Sequence, residues 1–402
     1  MVPAGADRCI RVLILLPSFQ RSGPVNRVLT LCKHLVAAGV VPDLLALSET
    51  RDEPIQTWFQ DLGLNTRVAS ADKWNLRACF HALQSELMSD RYQALHAMGL
   101  RPDIFASFMR SRWQGIRILS TVGSTIAEDL AFGIGSLRGY AVARIWAAAL
   151  ARLDDVIALA PGIARHLAGL GVPVEKIITI PSGIDTENFR PPTDPERNQA
   201  RVALRIPNGH LVIGHVGHLT KLKAVDLLLH ALRSLPRHDW VFLSVGGGPD
   251  ANALHALASD LGINDRVIWA GRHADVRPFL AAMDIFVLPS WTEGLPRALL
   301  EAAGTAIPSV ATNIDGCRTI LADDRWLFQP GDSAQLMARL TPLVMSDDVR
   351  KGAGKRLRET VEQRFCATAT AKHYKALYAR AGLNHDAGTL CLQDAEAPRG
   401  PS

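Results

Sequence analysis

The chain has 402 residues, 48% of them hydrophobic and 21% charged, with a formal net charge of +5 at pH 7. That length exceeds one ordinary core and suits two domains. The apolar share excludes a disordered chain, and so mild and diffuse a charge leaves no electrostatic footprint for nucleic acid. The six cysteines, Cys9, Cys32, Cys79, Cys317, Cys366 and Cys391, form no Cys-x-x-Cys pair and no Cys/His cluster. Neither a zinc site nor a disulfide framework is expected, which suits a reducing cytosol.

In chain order, strand and helix patterns alternate. "RVLILLP" (11–17) reads as a buried first strand rather than a signal peptide: Arg11 interrupts the apolar run and no small-residue cleavage site follows. After the loop "SFQRSG", Pro24 opens a helix with apolar positions Val25, Val28, Leu29, Cys32, Leu35 and Val36, closed by Gly39. "DLLALS", "YQALHAM", "IRILSTV", "DVIALAP" and "KIITIPSG" read as further strands, with amphipathic helices between most of them. His96, near the end of "ALHAM", reads as a satisfied structural histidine, with a side chain facing the cleft as the other reading. Between Arg101 and Arg152 lie seven arginines (Arg101, Arg110, Arg112, Arg117, Arg138, Arg144, Arg152) and three acids (Asp103, Glu128, Asp129). Phe105, Phe108, Trp113, Tyr140 and Trp146 interleave with them. Two readings stay open: a solvated helix face, or a face that leans on anionic lipid or an anionic acceptor. No run of 18 apolar residues occurs, so no span is expected.

At "TENFRPPTDPERNQA" (186–200) the alternation gives way to proline and charge, which reads as a linker. A second set follows: "LVIGHVG" (211–217), a helix from about Lys223, "WVFLSVGG" (240–247), a helix to about Leu261, then "RVIWAG", "IFVLPS" and "PSVAT". From Ser346 to Arg380 the pattern is helical. The expected division is residues 1–185, an N-terminal α/β domain; 186–200, the linker; 201–364, a second α/β domain; 365–383, a C-terminal helix; and 384–402, a disordered tail. Two doubly wound sheets facing each other make a cleft, with ligands at the carboxyl ends of the strands.

"TEGLPRALLEA" (292–302) raises a chemical question, because it places Glu293 and Glu301 around Pro296. Proline is excluded from a helix interior and favoured at its first position. Glu293 therefore belongs to a loop and Glu301 to the second turn of a helix. The backbone N–H groups of Gly294 and Leu295 then lead that helix, where phosphate is favoured. Carboxylates beside such a site suit hydroxyl groups as donors, so the pair fits a ligand carrying both a diphosphate and sugar hydroxyls. A plain helix start with acids placed by the dipole is the other reading of this segment.

"PSWTEGLPRALLEAAGTAIPSVAT" resembles the Glu-x7-Glu signature of retaining family-4 glycosyltransferases. "IPSGIDTENFRP" (180–191), "VGHLTKLKAVDLLLHAL" (216–232), "VGGGP" (245–249) and "FQPGD" (328–332) resemble other segments of that family, in order and spacing. "RSGPVNRVL" and "AEDLAFGIGSLRG" (127–139) are similar to members acting on bacterial surface polysaccharides. The resemblance implies the GT-B architecture: two Rossmann-like doubly wound domains facing across a cleft, 1–185 on the acceptor side and 201–364 binding the nucleotide sugar, with the C-terminal helix 365–383 crossing back to the first. It implies that Glu293 contacts the donor sugar and that Lys223 pairs with the diphosphate as charge develops, the two catalytic positions. It implies donor binding by Glu301 at the ribose, by Gly217 and His218 in the loop after "IGHV", by the amides of Gly294 and Leu295, by Gly23 in the first loop, and by Gly248. The chain departs from the family pattern at Ser22, Gly123, Ser182, His218 and Ala224. The expectation is a cytoplasmic, metal-independent hexosyltransferase acting in lipopolysaccharide, O-antigen or exopolysaccharide synthesis. It would take a nucleotide diphosphate sugar as co-substrate and no resident cofactor, a UDP-sugar favoured over GDP-mannose, and a glycan or lipid-linked acceptor. Peripheral contact with the inner membrane face would run through 101–152. Three other readings stand beside it. "GGGPDA" (246–251) admits a dinucleotide-binding oxidoreductase, though Pro249 crowds the phosphate turn. A nucleotide-sugar isomerase or hydrolase is a lesser alternative. A catalytically weak homologue serving as a partner subunit is suggested by His218 and Gly123.

Overall fold

The computed structural model describes residues 10–50, 54–113, 115–125 and 135–380. The expected tail at 384–402 and most of the "AEDLAFGIGSLRG" segment lie outside them. The first half runs β1 (Ile10–Leu16), α1 (Gly23–Ala37), β2 (Val40–Ala46), α2 (Gln56–Gln60), β3 (Thr66–Val68), α3 (Leu76–Leu87), β4 (Ala94–Ala97), α4 (Leu100–Met109), β5 (Arg117–Val122), α5 (Ser136–Leu150), β6 (Asp155–Ala158), α6 (Pro161–Gly169) and β7 (Ile177–Thr179). Its strands form a parallel seven-stranded sheet in the order β3-β2-β1-β4-β5-β6-β7.

The second half runs α7 (Asp194–Ala203), β8 (Leu211–Val216), α8 (Val225–Arg233), β9 (Trp240–Val245), α9 (Ala251–Asp260), β10 (Val267–Gly271), α10 (Arg277–Ala282), β11 (Ile285–Leu288), α11 (Arg297–Gly304), β12 (Ser309–Thr312), α12 (Asp315–Leu321), β13 (Leu327–Phe328), α13 (Ser333–Met345), α14 (Asp347–Arg364) and α15 (Ala367–Ala379). Its parallel sheet has the order β10-β9-β8-β11-β12-β13. Central strands such as β4, β8 and β9 are buried at every position, because helices cover both faces. That is why they read as continuous apolar runs. Each sheet reverses its strand order once, between β1 and β4 and between β8 and β11. Those reversals open crevices at the carboxyl ends of the strands.

One expectation needs correction. The linker does not continue to residue 200, because Asp194–Ala203 is helix α7. Thr193 accepts from the Glu196 backbone while Glu196 reaches back to the Thr193 amide, a capping box that starts the helix within a charged stretch. Arg201 of α7 then binds Asp284 at 2.6 Å, fixing the helix to the start of β11.

The chain crosses between the halves twice, side by side. Ile184 N donates to Phe365 O at 2.8 Å and Ala367 N to Ile184 O at 2.9 Å. A Cβ on Gly183 would lie 2.4 Å from the Ala367 nitrogen, so the two crossings approach at a distance that admits glycine alone. Beyond this point α15 leaves the second half. Ala371, Tyr374, Leu377 and Tyr378 join the core of the first half with Val12, Ile14, Val28 and Leu31. His96 is buried between them, with Nδ1 2.8 Å from the Tyr378 hydroxyl and Nε2 2.8 Å from Thr121 Oγ1. Burial lowers its pKa to about 3, so the ring is neutral and structural.

The arginine-rich stretch is largely engaged inside the molecule. Arg110 pairs with Asp154 and Arg117 with Asp155, each at 2.8 Å, while Arg144 donates to Leu170 O at 2.8 Å. Asp103 is fully buried under α5, accepting from Trp146 Nε1 at 2.7 Å, and burial pushes its carboxyl up to about 7. The folded state thus holds a proton that the unfolded chain releases near the usual aspartate value of 3.8. Stability from this group is present below that value and lost as pH rises toward 7, at about 1.4 kcal/mol per unit. Asp103→Asn keeps an acceptor for Trp146 and has no proton to lose. Urea titrations at a series of pH values should show the variant gaining on the parent between pH 4 and 7; a constant difference would refute the buried neutral acid.

Candidate active site

The crevice of the second sheet lies between the loops after β8 and β11. The first loop, 217–224, rests on the loop after β9: Leu219 N donates to Gly247 O at 3.0 Å. A Cβ on Gly246 would fall 1.8 Å from Gly217 O, and one on Gly248 2.2 Å from Leu219 O. Glycine at 248 therefore lets these loops stack, with Gly217 as the surface stacked upon. The loop ends at Ala224, whose left-handed backbone (φ 46, ψ 42) caps α8. A side chain there costs about 1–2 kcal/mol relative to glycine, and the strain sits one residue from Lys223.

Lys223 and Glu293 meet across the crevice. The lysine Nζ pairs with Glu293 Oε1, and Ser290 Oγ donates to the same oxygen at 2.8 Å. Trp291 N donates to Leu222 O at 2.8 Å, so backbone stitches the two loops together beneath the ion pair. His215 is fully buried below, its Nδ1 3.1 Å from Val287 O. That carbonyl needs a donor, which fixes the Nδ1–H tautomer. Burial holds the ring pKa down to about 4, so it contributes no charge at neutral pH.

Glu301 occupies the second turn of α11, buried at 7% exposure, with Oε1 2.6 Å from Arg297 Nε. Desolvation raises its pKa, and Arg297 opposes that shift. Pro296 is the N-cap and Arg297 the first helical residue, one position later than the sequence reading placed the helix start. Arg297 also reaches into the first half, its Nη1 3.3 Å from Asn26 O and 3.1 Å from Thr30 Oγ1 on α1.

The opposite wall comes from the first half. Ser22 caps α1 and accepts from Val25 N at 3.4 Å. Gly23 opens the helix, and a Cβ there would meet nothing within 4 Å. Gly294 and Leu295 are buried beneath this wall. A Cβ on Gly294 would fall 1.8 Å from Gly123 O, so the two halves touch backbone to backbone. Thr125 Oγ1 and Thr292 Oγ1 are 3.1 Å apart, and Arg27 Nη2 donates to Leu295 O at 3.3 Å.

The structure thus brings Lys223 and Glu293 into contact. It places Glu301 on the next helix in a separate ion pair, and Gly23 on the facing wall. Gly217 and Gly248 lie in the loop stack, Gly294 and Leu295 at the contact between halves, and His218 exposed on its loop. Sequence reading missed Arg297, Ser290 and Arg27. Arg297 was legible as an i, i+4 partner of Glu301; Arg27 carries no local signal, because its partners lie hundreds of residues away. Among the described residues, no group of three or more His, Cys, Asp or Glu could hold a metal ion.

Two family models match the chain. Residues 21–188 match the family model "Glycosyltransferase Family 4" and residues 210–346 the model "Glycosyl transferases group 1". A lipopolysaccharide core biosynthesis glycosyltransferase (LpsE) of Rhizobium meliloti is 30% identical over 232 residues, covering 56% of this chain and 64% of the relative. A lipopolysaccharide core biosynthesis mannosyltransferase (LpsB) of the same organism is 29% identical over 212 residues, 50% of this chain and 58% of the relative. An O-antigen biosynthesis glycosyltransferase (WclY) of Escherichia coli is 23% identical over 56% of this chain and 62% of its own. The chain thus spans less than two thirds of the length of these relatives. Among solved structures, Anabaena HepE in complex with UDP-glucose superposes with a TM-score of 0.80 at 17% identity, covering 92% of this chain and 99% of that one. WaaG, a glycosyltransferase involved in lipopolysaccharide biosynthesis, gives 0.71 at 17% identity, covering 91% and 99%. Two parallel sheets of the GT-B arrangement and the two matching models, which together span most of the chain, place it in one family: it belongs to the family 4, group 1 glycosyltransferases of GT-B fold.

Proposed function

We propose that the chain transfers a hexose from a nucleotide diphosphate sugar, a UDP-sugar in preference to GDP-mannose, to a glycan or lipid-linked acceptor in bacterial surface polysaccharide synthesis. The observation that carries this reading is the Lys223–Glu293 pair at the crevice of the second sheet, next to the point where Gly294 meets Gly123 of the first half. A diphosphate arriving there meets the lysine and the positive end of α1 at the open Gly23 position. It draws Lys223 from Glu293, which leaves a carboxylate oxygen free to accept from a sugar hydroxyl. Lys223 then stabilises the charge that grows on the leaving diphosphate as the glycosidic bond breaks. Glu301, with one oxygen held by Arg297, offers the other to the ribose hydroxyls. Those cations and helix dipoles supply the neutralisation that a metal provides elsewhere, so the reaction runs without one. Retention of anomeric configuration follows from the family resemblance. The lipopolysaccharide and O-antigen relatives support the acceptor class, and the UDP-glucose complex of HepE supports the base.

Among the described residues no helix is long and apolar enough to cross a membrane. We propose a cytoplasmic enzyme in peripheral membrane contact through α5, whose exposed face carries Leu137, Tyr140 and Ile145 beside Arg138.

Three outcomes test these assignments. In thermal unfolding with UDP, GDP or ADP and their sugars, one uridine ligand at 100 times its Kd should add about 2.7 kcal/mol, unchanged by chelator. No shift with any nucleotide would favour the partner-subunit reading. Lys223→Ala and Glu301→Ala should each lower transfer at least about tenfold, or about 1.4 kcal/mol of barrier; wild-type rates in both would sink the site. Finally, sedimentation with anionic vesicles should weaken in an Ile145→Ser, Arg138→Ser variant, and sedimentation indifferent to anionic lipid would remove the membrane contact.

A further inference from the structure

Arg27 has an unusual setting for an arginine. It projects from α1, one turn past Gly23, into the contact between the halves. Its Nη2 donates to the carbonyl of Leu295, which neutralises no charge. Burial and the nearby Arg297 pull its pKa down to about 10, while Tyr374 and Glu293 act in the opposite direction. It is charged at neutral pH, and the carboxylate whose charge acts on it is that of Glu293. Leaving a half-buried guanidinium without its own carboxylate is costly unless the charge has a task.

Gly123 identifies that task. A Cβ built there would lie 2.5 Å from Arg27 Nη1 and 3.2 Å from Leu159 Cδ1. The guanidinium therefore occupies the space that any side chain at 123 would need. Gly123 also presents the carbonyl on which Gly294 rests. Arg27 thus packs at the point where the first half touches the Glu293 loop, and it bonds that loop two residues beyond the glutamate.

We propose that Arg27 is a positioning residue for Glu293: it fills the side-chain space left by Gly123, holds the 293–295 loop across the domain boundary through the Leu295 carbonyl, and keeps Glu293 oriented once the donor diphosphate draws Lys223 away. This rests on the donor site proposed above. Lys223 and Arg27 act in sequence, the lysine pairing with Glu293 in the free site and the arginine keeping a cation near it in the loaded one.

The test uses the full chain with UDP and UDP-glucose, following UDP affinity by calorimetry and UDP release from the donor. Arg27→Ala should keep UDP affinity within about threefold, since the Arg27 guanidinium is spent on the Leu295 carbonyl rather than on the diphosphate, and lose at least about tenfold in kcat. Arg27→Lys, which keeps the charge, should recover most of that loss, and Arg27→Gln, which keeps a donor without charge, should not. Gly123→Ala should slow the wild type and add little further loss in the Arg27→Ala background, because the nearest clash partner is gone and only the Leu159 methyl, at 3.2 Å, must give. Equal activity in the Lys and Gln variants, additive losses at 27 and 123, or Arg27→Ala turning over within twofold of wild type would each overturn the proposal while leaving the donor site standing. A wild-type chain that binds no UDP would overturn both.

Discussion

Two backbones meet at Gly123 and Gly294 with no room for a side chain between them, and the site's geometry depends on that contact. The loop carrying Glu293 is gripped from both sides. Below it, a Cβ on Gly316 of α12 would fall 2.4 Å from Gly294 O; above it lies the Gly123 carbonyl. A loop held between two backbones has little freedom to swing its glutamate, so the orientation needed by a donor is prepared before the donor arrives. The same contact sets the distance between the halves, and with it the reach of Arg297 to α1 and of Arg27 to Leu295.

Charge follows from that closeness. Three cations, Lys223, Arg27 and Arg297, and two carboxylates, Glu293 and Glu301, share one partly dry region. Unpaired charges there would be costly. The free site limits the cost by pairing Lys223 with Glu293 and Arg297 with Glu301, leaving one cation in excess. In the proposed donor complex an anionic diphosphate would meet that excess, and its arrival would convert an internal ion pair into a ligand contact. Neutral sugars without a diphosphate offer no such exchange.

How much of this was legible beforehand depends on the range of the interactions. Strands β4, β8 and β9 announced themselves as apolar runs, because a parallel sheet covered on both faces demands them. Glu293 and Glu301 stood out because proline at 296 must separate loop from helix. Short elements did not: β3 is a three-residue edge strand, too brief for any period. Helix α7 hid in a proline-rich stretch although Thr193 and Glu196 spelled its capping box. Arg27 and Gly123 were invisible as a pair, since one fills the space of the other across 96 positions of chain and no local pattern encodes such exchange.

The C-terminal segment completes the wall that faces the donor loop. Tyr374 of α15 bonds Thr121 Oγ1 at 2.8 Å, Thr121 bonds His96, and His96 bonds Tyr378, all buried. Thr121 lies two residues before Gly123 on β5, so this chain of bonds fixes the strand end on which Gly294 rests. Tyr374 in turn lies close enough to Arg27 to influence its charge. Residues near position 375 therefore govern the backbone near position 123, which governs the loop at 294. The segment reaches that place through the paired crossings at Ile184 and Cys366, where Gly183 lets one strand lie against the other. Any rotation of the halves about those crossings must carry α15 with the first half. The wall that meets Glu293 is thus held from within the first half, and the Gly123–Gly294 contact joins two surfaces that are each fixed by their own half.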